Sequence, residues 1–193
     1  MKLKDFEYHL PKELIAQYPL KKRDEARLMI VERKNGRISH DIFSRIEKYL
    51  PPLSTIVLND SKVIPARLFG KREKTGGKVE IFLLHQLLDG YSFETLIRPL
   101  KRLKVDEKII FNGNNIYAAL KDAKKKTIKF NRKNIFRYLN DIGHIPLPPY
   151  IKRADELLDR EYYQTTYARR PGSVASPTAG LHFTKILLKE LKK

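Results

Sequence analysis

Residues 79–97 read VEIFLLHQLLDGYSFETLI, two runs rich in Val, Ile, Leu and Phe divided by Asp89-Gly90. Asp-Gly between such runs is a chain-reversal signal, so 79–88 and 91–97 read as paired β-strands. The same texture extends outward on both sides. Segments 66–69, 108–111, 116–120 and 127–130 are strand-like, with turn signals at Gly76-Gly77, Asn112-Gly113 and 122–126. Strands this close together, with no helix between them, predict a small antiparallel barrel or sandwich.

The flanks are mixed. ARLMIVE (26–32) reads as a strand, Asn35-Gly36 turns the chain, and Ile38 begins the return. A short helical turn is expected at 11–17 and an amphipathic helix at 41–50, stopped by Pro51-Pro52. TIVL (55–58) reads as a buried strand delivering Asn59, Asp60 and Ser61 to its end, where α/β proteins place ligand contacts. After the β-rich stretch a helical pattern returns at 134–140. The prolines of GHIPLPPYI (143–151) make a rigid connector, and 155–164 reads as helix. The fold expectation is α/β (α+β) with two domains. A mixed α/β, barrel-like domain (1–64 and 150–193) is interrupted by an inserted small antiparallel all-β barrel domain (65–149).

Composition narrows the function. With 193 residues, 41% hydrophobic and 32% charged, the chain is a globular protein with room for a good core. No apolar run approaches the ~20 residues of a membrane span. MKLKDFEYHLPKEL lacks a secretory h-region and cysteine is absent, so a cytoplasmic setting without a membrane is expected. Forty basic against 22 acidic residues give +18. Residues 101–133 hold 11 Lys or Arg against Asp106, Glu107 and Asp122, a net of +8. Nucleic acid is the leading partner for such an excess; the alternative is an ordinary solvated lysine-rich surface.

The other informative stretch is GSVASPTAGLHFT (172–184). Its small residues let backbone approach a ligand, Pro177 stiffens it, and His182 adds a side chain whose type titrates near neutral pH. Thr184 is the expected N-cap of KILLKELKK. A structural turn before a helix is the competing reading. Familiar sites are missing: the five histidines lie far apart with no HExxH, and there is no P-loop, GxGxxG or GxSxG, so no metal is expected.

Four strings go further. LNDSKVIPARLFG (58–70), GHIPLPPYI (143–151), DREYYQTTYA (159–168) and GSVASPTAGLHFT (172–184) closely resemble the S-adenosylmethionine:tRNA ribosyltransferase-isomerases of queuosine synthesis. LPKELIAQYP and DEARLMIV look like that family's opening. Small departures are Ser61-Lys62 for the common Thr-Arg, Thr166 for Val and Ser176 for Ala. The large one is the end, since family members normally continue well past the helix after Thr184.

The resemblance implies that S-adenosylmethionine serves as ribosyl donor, without a metal. The acceptor is tRNA carrying 7-aminomethyl-7-deazaguanine, and the products are epoxyqueuosine-tRNA, adenine and methionine. A base near neutral pKa would remove a proton beside the sulfonium, which makes His182 the first candidate, with Asp60 second. Asn59, Thr178, Ala179, Gly180 and Thr184 are expected to hold the donor. Arg67, Lys124, Lys125, Lys126, Lys129, Arg169 and Arg170 are expected to face tRNA. Tyr162, Tyr163 and Tyr167 are either base-stacking or core residues. A monomer is expected. The competing classes are a non-catalytic tRNA-binding relative and a fragment requiring a partner chain.

Overall fold

A computed structural model of the chain describes residues 2–112 and 115–192. Among them are eleven strands. They are β1 (Arg27–Val31), β2 (Ile38–Ile42), β3 (Ser61–Val63), β4 (Arg67–Arg72), β5 (Lys78–Gln86) and β6 (Ser92–Arg98). Then come β7 (Lys108–Phe111), β8 (Tyr117–Asp122), β9 (Thr127–Phe130), β10 (Gly143–His144) and β11 (Arg170–Ser173). Three short α-helices, α1 (Leu139–Ile142), α2 (Asp159–Tyr162) and α3 (Lys185–Glu190), complete the set with several 3-10 turns. The chain divides into two compact units.

One unit comprises Leu58–Pro146 and Asp155–Leu181. Its strands follow the order β4-β5-β6-β9-β8-β7, and β7 pairs back onto β4, so six antiparallel strands close into a barrel. Strand alternation explains why. On β5 the pattern puts Val79, Ile81 and Leu83 inside and leaves their neighbours outside, and the other barrel strands follow. Leu68, Phe93, Ile109, Leu120, Ile128 and Phe130 fill the interior, joined by Ile135 and Leu139 from the segment around α1. Phe93 and Phe130 meet edge to face at 5.7 Å. Closure depends on Gly70, where β4 passes from β5 to β7. A β-carbon there would lie 2.6 Å from Ile109 Cγ2 and 3.0 Å from the Ile110 carbonyl oxygen.

The barrel mouth is locked by a bidentate pair: Arg72 Nε donates to Glu107 Oε1 at 2.7 Å and Nη2 to Oε2 at 3.1 Å. The Arg72 guanidinium, followed by the Lys104 main-chain N–H, holds the Glu107 carboxyl below its ordinary range. Outside the barrel, β3 and β11 form a parallel pair, and the Gln164 amide spans Val63 by accepting from its N–H and donating to its carbonyl. The expected α+β class with an antiparallel barrel is therefore formed, and the sandwich alternative is not.

The other unit comprises Met1–Val57, Leu147–Ala154 and His182–Lys193. Strands β1 and β2 make the expected hairpin, with Gly36 at φ +72° in its turn. Three elements differ from expectation. TIVL is not a strand: no described strand pairs with it, and Val57 is 90% exposed. Apolar character alone does not supply the partner that a strand's N–H and C=O groups require. The helix expected at 41–50 is a 3-10 segment, Phe43–Tyr49, because the hairpin continues through Ile42 and Phe43 N donates to the Ala26 carbonyl. The helix expected at 155–164 shrinks to α2 in the barrel unit, where Asp155 is engaged elsewhere. The expected turn at Asn112-Gly113 includes Gly113, and the segment KILLKELKK expected to be helical runs to Lys193; those two residues lie outside the described set, and the described helix α3 spans Lys185–Glu190.

Candidate functional site

In the barrel unit, Asp60 stands at the start of the β3–β11 pair. Its carbonyl accepts the N–H groups of Arg169 at 2.7 Å and Arg170 at 3.2 Å. Its carboxylate lies 3.7 Å from Arg170 Nε and 3.9 Å from Arg169 Nε. Both arginine side chains are about four-fifths exposed, at 78% and 81%, so these ion pairs add little stability and leave the guanidiniums available to an anion. Asn59 is committed to the turn: its Oδ1 accepts the Ser61 N–H at 2.9 Å, an Asx turn that aims the chain into β3.

The small-residue loop follows β11. Ser173 Oγ donates to the Ala175 carbonyl at 2.6 Å, and Pro177 leads into the 3-10 turn Thr178–Gly180. Gly180 is buried against Thr165 and Tyr167, with no room for a β-carbon. Burial pushes the Tyr167 phenol up. Around this loop two buried hydroxyls, Thr165 Oγ1 and Ser176 Oγ, find no hydrogen-bond partner among the described residues. An unpartnered buried hydroxyl costs about 1–3 kcal/mol, so such atoms favour a polar ligand or water alongside. Sequence reasoning named Thr178, Ala179 and Gly180 but missed Thr165 and Ser176, whose burial no local pattern announces.

In the other unit, the His182 ring tilts against Phe43 at 5.1 Å, and Phe43 meets Phe183 edge to face at 4.9 Å. His182 Nδ1 lies 3.3 Å from the Arg23 carbonyl oxygen. A carbonyl only accepts, so in the neutral ring this contact places the proton on Nδ1 and the basic lone pair on Nε2. Thr184 Oγ1 accepts the Leu187 N–H at 3.1 Å, making it the N-cap of α3.

The expected RNA-facing residues are dispersed on the barrel unit. Arg67 is tied to Glu80 by a 2.7 Å ion pair. Lys124, Lys125 and Lys126 form the exposed β8–β9 hairpin, where the Lys126 carbonyl accepts from both Thr95 N and Thr95 Oγ1. Lys129 holds its ammonium 5.5 Å from the Tyr91 ring centre. A further arrangement was not anticipated: His144 Nδ1 is 2.8 Å from Asp155 Oδ1, while Asp155 Oδ2 accepts the Ile145 N–H at 2.9 Å. Among the described residues no cluster of His, Asp or Glu is placed to hold a metal, and no helix is long and apolar enough to cross a membrane.

These features define an α+β protein built on a closed, basic, six-stranded barrel with a tight small-residue loop. The chain belongs to the queuosine biosynthesis protein family, whose model matches residues 3–193. It is 53% identical along its whole length to the S-adenosylmethionine:tRNA ribosyltransferase-isomerase of Sulfurihydrogenibium sp. (strain YO3AOP1), covering 57% of that relative. Against the protein of the same name from Carboxydothermus hydrogenoformans it is 49% identical and covers 56%. The crystal structure of S-adenosylmethionine tRNA ribosyltransferase from Thermotoga maritima is also similar, at 32% identity and a TM-score of 0.37. That match covers 97% of this chain and 54% of the other. The chain thus spans little more than half the length of these relatives.

Proposed function

We propose that this chain takes part in transferring and isomerising the ribosyl group of S-adenosylmethionine onto the aminomethyl nitrogen of 7-aminomethyl-7-deazaguanine in tRNA. Epoxyqueuosine-tRNA, adenine and methionine would be the products. The observation that carries this reading is 53% identity over the full chain to a relative of that name.

The residues fit the chemistry as follows. The sulfonium acidifies its neighbouring C5′ protons, and His182 accepts one at Nε2, the ring nitrogen that does not face the Arg23 carbonyl. Asp60 is the second acid–base group, and Arg169 and Arg170 beside it hold anionic portions of donor or RNA. The loop at Thr178–Gly180 approaches the donor through backbone, while the unpartnered hydroxyls of Thr165 and Ser176 suit its polar groups. Asn59 and Thr184 stay in the proposal as donor-holding residues, each alongside its local role: Asn59 turns the chain into β3 and Thr184 caps α3. Lys124, Lys125, Lys126 and Lys129 attract the phosphate backbone without reading sequence.

The test is mass spectrometry of tRNA nucleosides after incubation with S-adenosylmethionine. Conversion of the aminomethyl base into a nucleoside heavier by one rearranged ribosyl unit supports the reading. Binding of tRNA without conversion would replace it with the non-catalytic alternative.

A further inference from the structure

The outer face of the barrel carries a cleft of about 490 Å³ that none of the expected RNA-facing residues lines. Strand β4 supplies Phe69 and Lys71, β5 supplies Lys78 and Glu80, β6 supplies Arg98, and β7 supplies Ile110. The register explains their convergence. Lys71 lies opposite Lys78 on one side and Ile110 on the other, while Glu80 lies between Phe69 and Arg98.

Two properties set this face apart. First, Phe69 is 50% exposed and Ile110 44% exposed, at positions that alternation turns outward. The Phe69 ring is also braced: it and the His144 ring meet in a T-shaped contact with centroids 5.0 Å apart, and Asp155 fixes His144 in turn. Second, the charges are unbalanced. Glu80 is taken by Arg67, which leaves Lys71, Lys78 and Arg98 with no ion-pair partner among the described residues. A fixed aromatic face with cations around it matches an unpaired nucleotide, whose base stacks and whose phosphates carry the complementary charge. An acidic peptide would satisfy the cations but leave the ring without a planar partner.

We propose that Phe69 is a stacking platform for an unpaired RNA base, with Lys71, Lys78 and Arg98 holding the adjoining phosphates. This rests on the RNA-directed reading above and assigns it a surface. In the barrel order β9 is three strands from β4 either way round. Lys129 on β9 and the hairpin lysines beside it therefore attract RNA from a distance and do not share this cleft.

The chain has no tryptophan, so Phe69→Trp creates a single reporter. The probes are an RNA stem-loop of anticodon-arm size and the same stem as a plain duplex, with RNA anisotropy read alongside indole emission. The expected result is saturable quenching by the stem-loop, with the same midpoint as the anisotropy change, and weak quenching by the duplex. Phe69→Ala and Arg98→Ala should each weaken stem-loop binding about tenfold, with unchanged circular dichroism. Anisotropy change without quenching would place RNA elsewhere and overturn this inference while leaving the RNA reading intact. No binding of stem-loop or of whole tRNA would overturn both. An emission shift that follows protein concentration without RNA would assign the face to a second copy of the chain instead.

Discussion

Gly180 and Tyr167 compete for one space: a β-carbon on Gly180 would stand 2.1 Å from the Tyr167 hydroxyl oxygen. The next neighbours, Thr165 Cγ2 at 3.1 Å and Tyr167 Cζ at 3.2 Å, are tight but tolerable. The hydroxyl is therefore what requires glycine in this loop. Gly180→Ala should destabilise the fold by about 1–3 kcal/mol, as overpacking typically does. Tyr167→Phe in the same chain should restore most of that loss. Urea denaturation of the two single variants and the double variant checks the coupling; strictly additive effects would show that the two residues do not share the space.

The barrel interior sets the stability of its unit. Phe130 is 1% exposed and packs against both Phe93 and Phe111, so Phe130→Ala should cost about 3–5 kcal/mol. Met29 on β1 is 61% exposed, and Met29→Ala should change stability by less than about 0.5 kcal/mol. Chemical denaturation of both variants makes the comparison.

Acid should loosen the barrel mouth. Arg72 and the Lys104 N–H lower the folded-state pKa of Glu107, so the folded chain takes up that proton less readily than the unfolded chain. The contribution is complete above the unfolded pKa and is lost as pH falls through the folded one. Asp89 behaves alike, with the Ser92 hydroxyl as its main cause. Glu107→Gln should therefore be less stable than the parent at neutral pH and converge with it in acid. Urea midpoints across an acidic series test this; parallel curves would remove Glu107 from the pH response.

His182 is tested separately from folding. His182→Gln should lower ribosyl transfer about 10²–10⁴-fold, the usual share of a positioned acid–base group. The Thr184 cap and helix α3 should persist, since neither uses the imidazole. Turnover at the parental rate in a folded variant would remove histidine from the mechanism.

The barrel was legible because its strands alternate and its turns carry Asp-Gly and Gly-Gly signals; β7 and β9 begin and end where the sequence placed them. Closure between β4 and β7 was not legible, since the room Gly70 provides shows only once Ile109 faces it. The shortened helix at α2 has a long-range cause: Asp155 is bonded to His144 and Ile145, eleven and ten residues away. Asp60 beside Arg169 and Arg170 could be named as residues but not as neighbours, because the parallel β3–β11 pairing spans more than a hundred positions. TIVL misled because hydrophobicity fixes what a segment avoids, not which strand it meets.

The most direct measurement is adenine release from S-adenosylmethionine incubated with this chain and tRNA. Release that requires the aminomethyl-deazaguanine base, and collapses in His182→Gln, is the result ribosyl transfer demands. Adenine release independent of that base, or none in the presence of bound modified tRNA, would contradict it.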